Sequence, residues 1–134
     1  MNPDFSADAI TLGVGVDLVE VARIRNSREN HGEHFLEKVF TFEEREYCLA
    51  MSDPDPHFAA RFAAKEAVSK AFGTGIGAEI GWLSVSVSRQ DSGAPVVKLD
   101  EKAAAQLKVI GGEQVLLSLS HLKEMAVAFA VITR

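Results

Sequence analysis

Ile10, Leu12, Val14, Val16 and Leu18 alternate with Thr11, Gly13, Gly15 and Asp17. A period of two predicts a strand over about residues 10–18, because successive side chains of a strand point to opposite faces. Two alternate positions are glycines, which predicts close approach of another backbone or of a ligand. From Glu20 to about Asn30 the spacing turns helical, with Val21 and Ile24 on one side. Gly32 ends that helix or starts a new turn, and Phe35, Val39 and Phe40 predict a further short helix. Thr41 followed by Glu44 is a capping-box pattern for a helix through Tyr47 and Ala50. Asp53-Pro54-Asp55-Pro56 then breaks the chain, with Asp55 expected to cap the next helix and Pro56 suited to its first position.

That next helix is predicted from about His57 to Phe72. Ala59, Ala60, Ala63, Ala64, Ala67 and Ala71 cover one broad face, so the helix is expected to be central in the fold. Gly73, Gly75 and Gly77 end it in a loop. Leu83, Val85 and Val87 alternate with serines and predict a second strand, followed by a turn at Asp91-Ser92-Gly93. Val96–Leu99 is a short strand that Pro95 can only begin or border. Asp100 suits the N-cap of a helix to about Val109, stopped by Gly111-Gly112. Val115–Ser120 and Met125–Ile132 are the last strands, close enough to form an antiparallel hairpin. The order gives an α+β fold, an antiparallel sheet packed on a central alanine-rich helix. Residues 10–134 are expected to form one domain and residues 1–9 a flexible N-terminal extension.

Composition removes several function classes. Of 134 residues, 47% are hydrophobic and 25% charged, an ordinary globular balance. Cys48 is the single cysteine, so no intrachain disulfide forms. No apolar run approaches the roughly 18 residues of a membrane span. Residues 1–8 lack the basic flank of a signal peptide, and the expected location is the cytoplasm. A net charge of -5 argues against nucleic-acid binding. Arg61, Lys65 and Lys70 nevertheless gather positive charge on one helix, a local excess suited to an anionic ligand.

Glu66 and Lys70 are four residues apart, the spacing of a common surface ion pair. The central position of the helix, with Lys65 and Ser69 on the same arc, makes a different use attractive. Buried carboxylate and ammonium groups are costly unless paired, and a divalent metal with a phosphate would satisfy them together. Asp17, near the end of the first strand, suits either a helix N-cap or a metal ligand. Asp17 and Glu66, with waters and a substrate phosphate, would suit magnesium. His121 follows the strand ending at Ser120, and His31, His34 and His57 show no metal-binding spacing with it. No G-x-S-x-G elbow surrounds a serine, which disfavours a serine hydrolase. Gly73-Thr74-Gly75-Ile76-Gly77 follows a helix instead of opening one, so it is a helix stop, with amides available to an anion, and not a dinucleotide fingerprint.

Together, Gly13-Val14-Gly15-Val16-Asp17 with Arg23, the run Arg61-Phe62-Ala63-Ala64-Lys65-Glu66-Ala67-Val68-Ser69-Lys70-Ala71, the glycine loop, and Ser118-Leu119-Ser120-His121 occur in order at suitable distances. Over about residues 10–134 the chain resembles the small 4′-phosphopantetheinyl transferases, the holo-[acyl-carrier-protein] synthase family. The resemblance implies transfer of the 4′-phosphopantetheine arm of coenzyme A to a serine of apo acyl carrier protein, releasing adenosine 3′,5′-bisphosphate, in support of fatty acid biosynthesis. It implies magnesium held by Asp17 and Glu66, and Lys70 assisting the leaving group. It also implies nucleotide or phosphate contacts from Lys65, Ser69, Gly73, Gly75, Pro95 and His121. Glu66, Asp17 and a metal-bound water stay open as the group that takes the serine proton, with Glu66 or a water it positions preferred. A homotrimer with interfacial active sites is implied as well.

An acidic carrier calls for a basic docking patch. Arg23 matches the family motif, and Arg25 and Arg28 add to it by charge. Glu29 and Glu33 make this helix less basic than is usual in the family, and Ala94 stands before Pro95 where lysine or arginine is common. Two other readings use the same residues: a metal-dependent pyrophosphate or phosphoester hydrolase, and a non-catalytic module that binds coenzyme A or a carrier.

Overall fold

The computed structural model describes residues 10–134, and the expected extension over residues 1–9 lies outside them. The order is β1 (Thr11–Glu20), α1 (Val21–Val39), α2 (Phe42–Leu49), α3 (Asp55–Ala71), a short 3-10 turn (Trp82–Ser84), β2 (Val85–Arg89), β3 (Pro95–Leu99), α4 (Glu101–Val109), β4 (Gln114–His121) and β5 (Met125–Thr133). The strands form two antiparallel sheets, one ordered β1-β5-β4 and one pairing β2 with β3. The α+β class and the central alanine-rich helix are as the sequence predicts.

Helix α3 crosses the three-stranded sheet and packs on β1 and β5. Ala63, Ala64 and Ala67 of the helix and Ala126, Ala128 and Ala130 of β5 are all buried. Small side chains on both surfaces let helix and sheet approach closely. The closest approach is at β1, where a Cβ on Gly15 would overlap the Ala67 carbonyl oxygen and lie 2.8 Å from the Ala71 amide nitrogen. The expected close approach at the glycines is therefore made by the backbone of α3.

This packing determines which face of β1 is inward. Alternation predicts the strand, but its apolar row is not the buried row. Val14, Val16 and Leu18 are 56%, 53% and 64% exposed, while Gly15 and Val19 face the helix. Val14 lies opposite Val131, Val16 opposite Phe129 and Leu18 opposite Val127, so the apolar row continues across β5. The outer face of the sheet is an open apolar surface.

Gly32 adopts φ 53° and ψ −132° and breaks α1 into two helical pieces, as its position predicts. The Thr41–Glu44 capping box forms. Asp55 departs from expectation. It makes no cap hydrogen bond to the start of α3. Instead its buried carboxylate is clasped by Arg25 Nε at 3.0 Å and by Arg28 Nε and Nη2 at 2.6 and 2.9 Å. A bidentate guanidinium contact satisfies a buried carboxylate better than one backbone amide.

Candidate functional site

Strand β1 places Asp17 on its helix-facing side, opposite Ala128 of β5. The last turn of α3 places Lys70 beside it. Lys70 Nζ donates to Asp17 Oδ1 at 3.1 Å and to the Val16 carbonyl at 3.1 Å. The local Glu66–Lys70 ion pair that the spacing suggests is not among the ion pairs of the described residues. Nor does Asp17 cap α1, whose N-cap is Glu20. Glu66 lies one turn before Lys70. Burial pushes its pKa up and the Asp17 charge adds to that, against the opposing charges of Lys70 and Arg23. Arg23 itself is exposed, with its guanidinium 5.2 Å above the Phe62 ring, and Phe62 stacks on Trp82 at 4.8 Å.

Asp17 and Glu66 thus form a mutually repelling carboxylate pair with a lysine alongside. Among the described residues no cluster of three or more His, Cys, Asp or Glu could hold a metal. Two hard oxygen donors fit magnesium, which takes one or two protein carboxylates and completes its shell with water and substrate phosphate. Burial, chiefly, and the Asp17 charge both disfavour an ionised Glu66, and a cation there would offset them.

Several residues expected to touch phosphate have other employment. Lys65 is fully buried: its Nζ lies 2.8 Å from Glu44 Oε1 and donates to the carbonyls of Trp82 and Val85. Glu44 in turn accepts from the amides of Thr41 and Val87. Lys65 therefore ties α3 to α2 and β2, and every ammonium proton has a protein acceptor. Ser69 is also fully buried and donates to the Glu66 carbonyl at 2.7 Å. The amides of Gly73, Thr74 and Gly75 bond back to the Lys70 and Ser69 carbonyls, completing the end of α3. A Cβ on Gly73 or Gly75 would still meet nothing within 4 Å, so the loop keeps an open face. Arg25 and Arg28 spend their guanidinium groups on Asp55, which leaves Arg23 as the one of the three with no ion pair among the described residues. Pro95 opens β3 opposite Arg89.

The sequence reading missed a second cluster at the opposite end of α3. Arg61 is 1% exposed, and no carboxylate pairs with it among the described residues. Its Nε is buried without a partner, Nη1 donates to the His57 carbonyl at 3.4 Å, and the guanidinium lies 4.3 Å over the Tyr47 ring. His57 stands edge-to-face with His121 at 5.1 Å and with Tyr47 at 6.1 Å, and its Nδ1 is buried and unpartnered. Burial chiefly, then the charges of His121, Arg61 and Arg89, pushes the His57 pKa down. A buried arginine without an anion is costly, and a phosphate would satisfy it. The available signal was Arg61 itself, counted in the cationic excess of the helix but not linked to His121. His57 and Glu66 are nine residues apart, about two and a half turns, so they project from opposite sides of α3. His121 meets the His57 side of α3, on the strand two places from β1 in the sheet.

A family profile described as the 4′-phosphopantetheinyl transferase superfamily matches residues 13–130. A holo-[acyl-carrier-protein] synthase of Chlamydia felis is 48% identical over 118 residues, 88% of this chain and 93% of that protein. The crystal structure of holo-[acyl-carrier-protein] synthase from Neisseria meningitidis superposes with a TM-score of 0.86 at 30% identity, covering 92% of this chain and 98% of that one. The Helicobacter pylori holo-[acyl-carrier-protein] synthase in complex with coenzyme A superposes with a TM-score of 0.79 at 29% identity, covering 89% and 98%. With the fold and the paired carboxylates of β1 and α3 in place, these matches mean that the chain belongs to the 4′-phosphopantetheinyl transferase superfamily.

Proposed function

We propose that the chain is a magnesium-dependent holo-[acyl-carrier-protein] synthase. It moves the 4′-phosphopantetheine arm of coenzyme A to a serine hydroxyl of apo acyl carrier protein and releases adenosine 3′,5′-bisphosphate. The observation that carries this reading is the convergence of Asp17, Glu66 and Lys70 where α3 meets β1. A cytoplasmic site of action and a part in fatty acid biosynthesis go with the reading.

The serine oxygen attacks the pantetheine-side phosphorus of the pyrophosphate. A new O–P bond forms, the P–O bond to the bisphosphate breaks, and its electron pair leaves with the bisphosphate. Glu66, or a water it positions, takes the serine proton. Asp17 and Glu66 would hold the magnesium ion, which supplies neutralisation of the pyrophosphate charge. Lys70, half exposed, offers its ammonium to the departing bisphosphate. Arg23 presents an exposed guanidinium beside Glu66 to the acidic carrier.

The nucleotide end needs a second copy of the chain. Arg61 and His121 offer cations to a phosphate on the side of α3 away from Glu66. The exposed row Val14, Val16, Leu18 and Phe129 supplies an apolar face for association. Both features support a homotrimer with each site built between neighbours. The test is to incubate the protein with apo acyl carrier protein, coenzyme A and magnesium and weigh the carrier by intact mass spectrometry. The reading requires a gain of one phosphopantetheine that is lost on chelation. No gain with several carriers would favour the hydrolase or binding-module alternatives.

A further inference from the structure

The mechanism above makes no use of His57, yet its ring is held between two others. Tyr47 of α2 meets it at 74° and His121 of β4 at 67°. Arg61 of α3 anchors its carbonyl. The charged and titratable groups that act on it are His121, Arg61, Arg89 and the more distant carboxylate of Asp53. Asp53 is partly engaged by Arg25 at 3.6 Å. The surroundings are thus cationic, and two buried nitrogens, His57 Nδ1 and Arg61 Nε, lack partners among the described residues. His121 also borders a cavity of about 320 Å³ that opens between Leu18, Ser120 and Val127.

Burial first, then the neighbouring His121 and Arg61 charges, disfavours a proton on His57. A dianionic phosphate arriving beside Arg61 reverses that balance and favours a charged ring. We propose that His57 is a positioning residue for His121, and that the pair takes up a proton from solvent when a phosphate monoester of the nucleotide binds beside Arg61. This inference rests on the proposed function, because it takes the bisphosphate end of coenzyme A as the ligand.

The direction follows from linkage. Without ligand the His57 pKa lies below its ordinary 6.5, so the ring is neutral near pH 7. Bound phosphate raises it, so binding takes up a proton between the two values. Affinity then falls as pH rises, by up to about tenfold per pH unit for one proton.

The probe is adenosine 3′,5′-bisphosphate, titrated calorimetrically into the full-length protein between about pH 6.5 and 8, in buffers of different ionisation enthalpy. The unsubstituted protein is expected to take up a proton on binding and to lose affinity across this range. His57→Phe keeps a ring against His121 but cannot titrate, and His57→Gln keeps a polar group. Both should reduce the proton uptake and flatten the slope of log Kd against pH, with the effect in turnover carried by KM for coenzyme A. Proton uptake and slope unchanged in either folded variant would overturn the inference while leaving the proposed function standing. Absence of bisphosphate binding by the unsubstituted protein at every pH would overturn both.

Discussion

The Lys70 ammonium stands 3.1 Å from the Asp17 carboxylate, across 53 residues of sequence, while Glu66 on the same helix has no such partner among the described residues. The lysine bonds one acid of the pair, while burial, chiefly, and the Asp17 charge disfavour ionisation of the other against the smaller opposing charge of Lys70. Glu66 is the acid whose pKa is raised, so its ionisation opposes folding. That opposition is absent below its unfolded pKa and complete once pH passes the raised folded value. Glu66→Gln should lower transfer by about 10²–10⁴-fold. In metal-free protein at pH 7 the same variant should unfold at an equal or higher temperature, with the difference vanishing near pH 4. A lower unfolding temperature at pH 7 would contradict the assigned strain.

Gly15 lies against the α3 backbone, with no room for a methyl group. Gly15→Ala must push the helix off the sheet, and overpacking of this kind costs about 1–3 kcal/mol or more. The displacement also carries Glu66 and Lys70 away from Asp17. Denaturant unfolding and transfer rate should both fall. A variant of unchanged stability would mean that the contact yields more easily than backbone should.

Asp55 carries the two arginines of α1. Hydrogen bonding from Arg28, chiefly, and from Arg25 holds its pKa below the ordinary carboxylate value. The stability it contributes is present above the unfolded pKa and disappears as pH falls through the lower folded one. Asp55→Asn should cost about 1–3 kcal/mol at pH 7, the range of hydrogen bonds to charged groups. The gap to the parent protein should close in acid. Chemical unfolding at pH 7 and pH 3 reads both.

The outer sheet face makes a prediction about assembly. Val16 is 53% exposed at the middle of the apolar row. Val16→Glu puts a charge into that surface without disturbing the α3 side of β1. Sedimentation should show trimer in the parent and monomer in the variant, with loss of transfer. A trimeric variant would place the interface elsewhere.

The elements of this fold are largely legible from local pattern. The β1 alternation, the capping box at Thr41 and the alanine face of α3 each report their own secondary structure. The orientation of β1 is not local. Its apolar row points out because the helix backbone occupies the glycine side, a fact held in the pairing of Gly13 and Gly15 with Ala67 and Ala71. The site was legible in part. Asp17, Glu66 and Lys70 stand in recognisable motifs and do converge. Lys65 shares the motif, but its ammonium is consumed by Glu44, Trp82 and Val85, partners 17–21 residues away that no helical spacing reveals. Arg25 and Arg28 look like a docking patch in sequence because Asp55 reads as a cap. Only tertiary structure shows the three together.

The carboxylate centre of one copy is proposed to work with the Arg61–His121 cluster of another. Co-expression of Glu66→Gln and His121→Ala chains carrying different tags, with purification of mixed oligomers, tests it. Each variant alone should be nearly inactive. Each purified mixed trimer should recover about a third of its sites, the one that pairs an intact Glu66 with an intact His121 from a neighbour. Mixed oligomers no more active than the two variants measured apart would contradict the account and put the whole site within one chain.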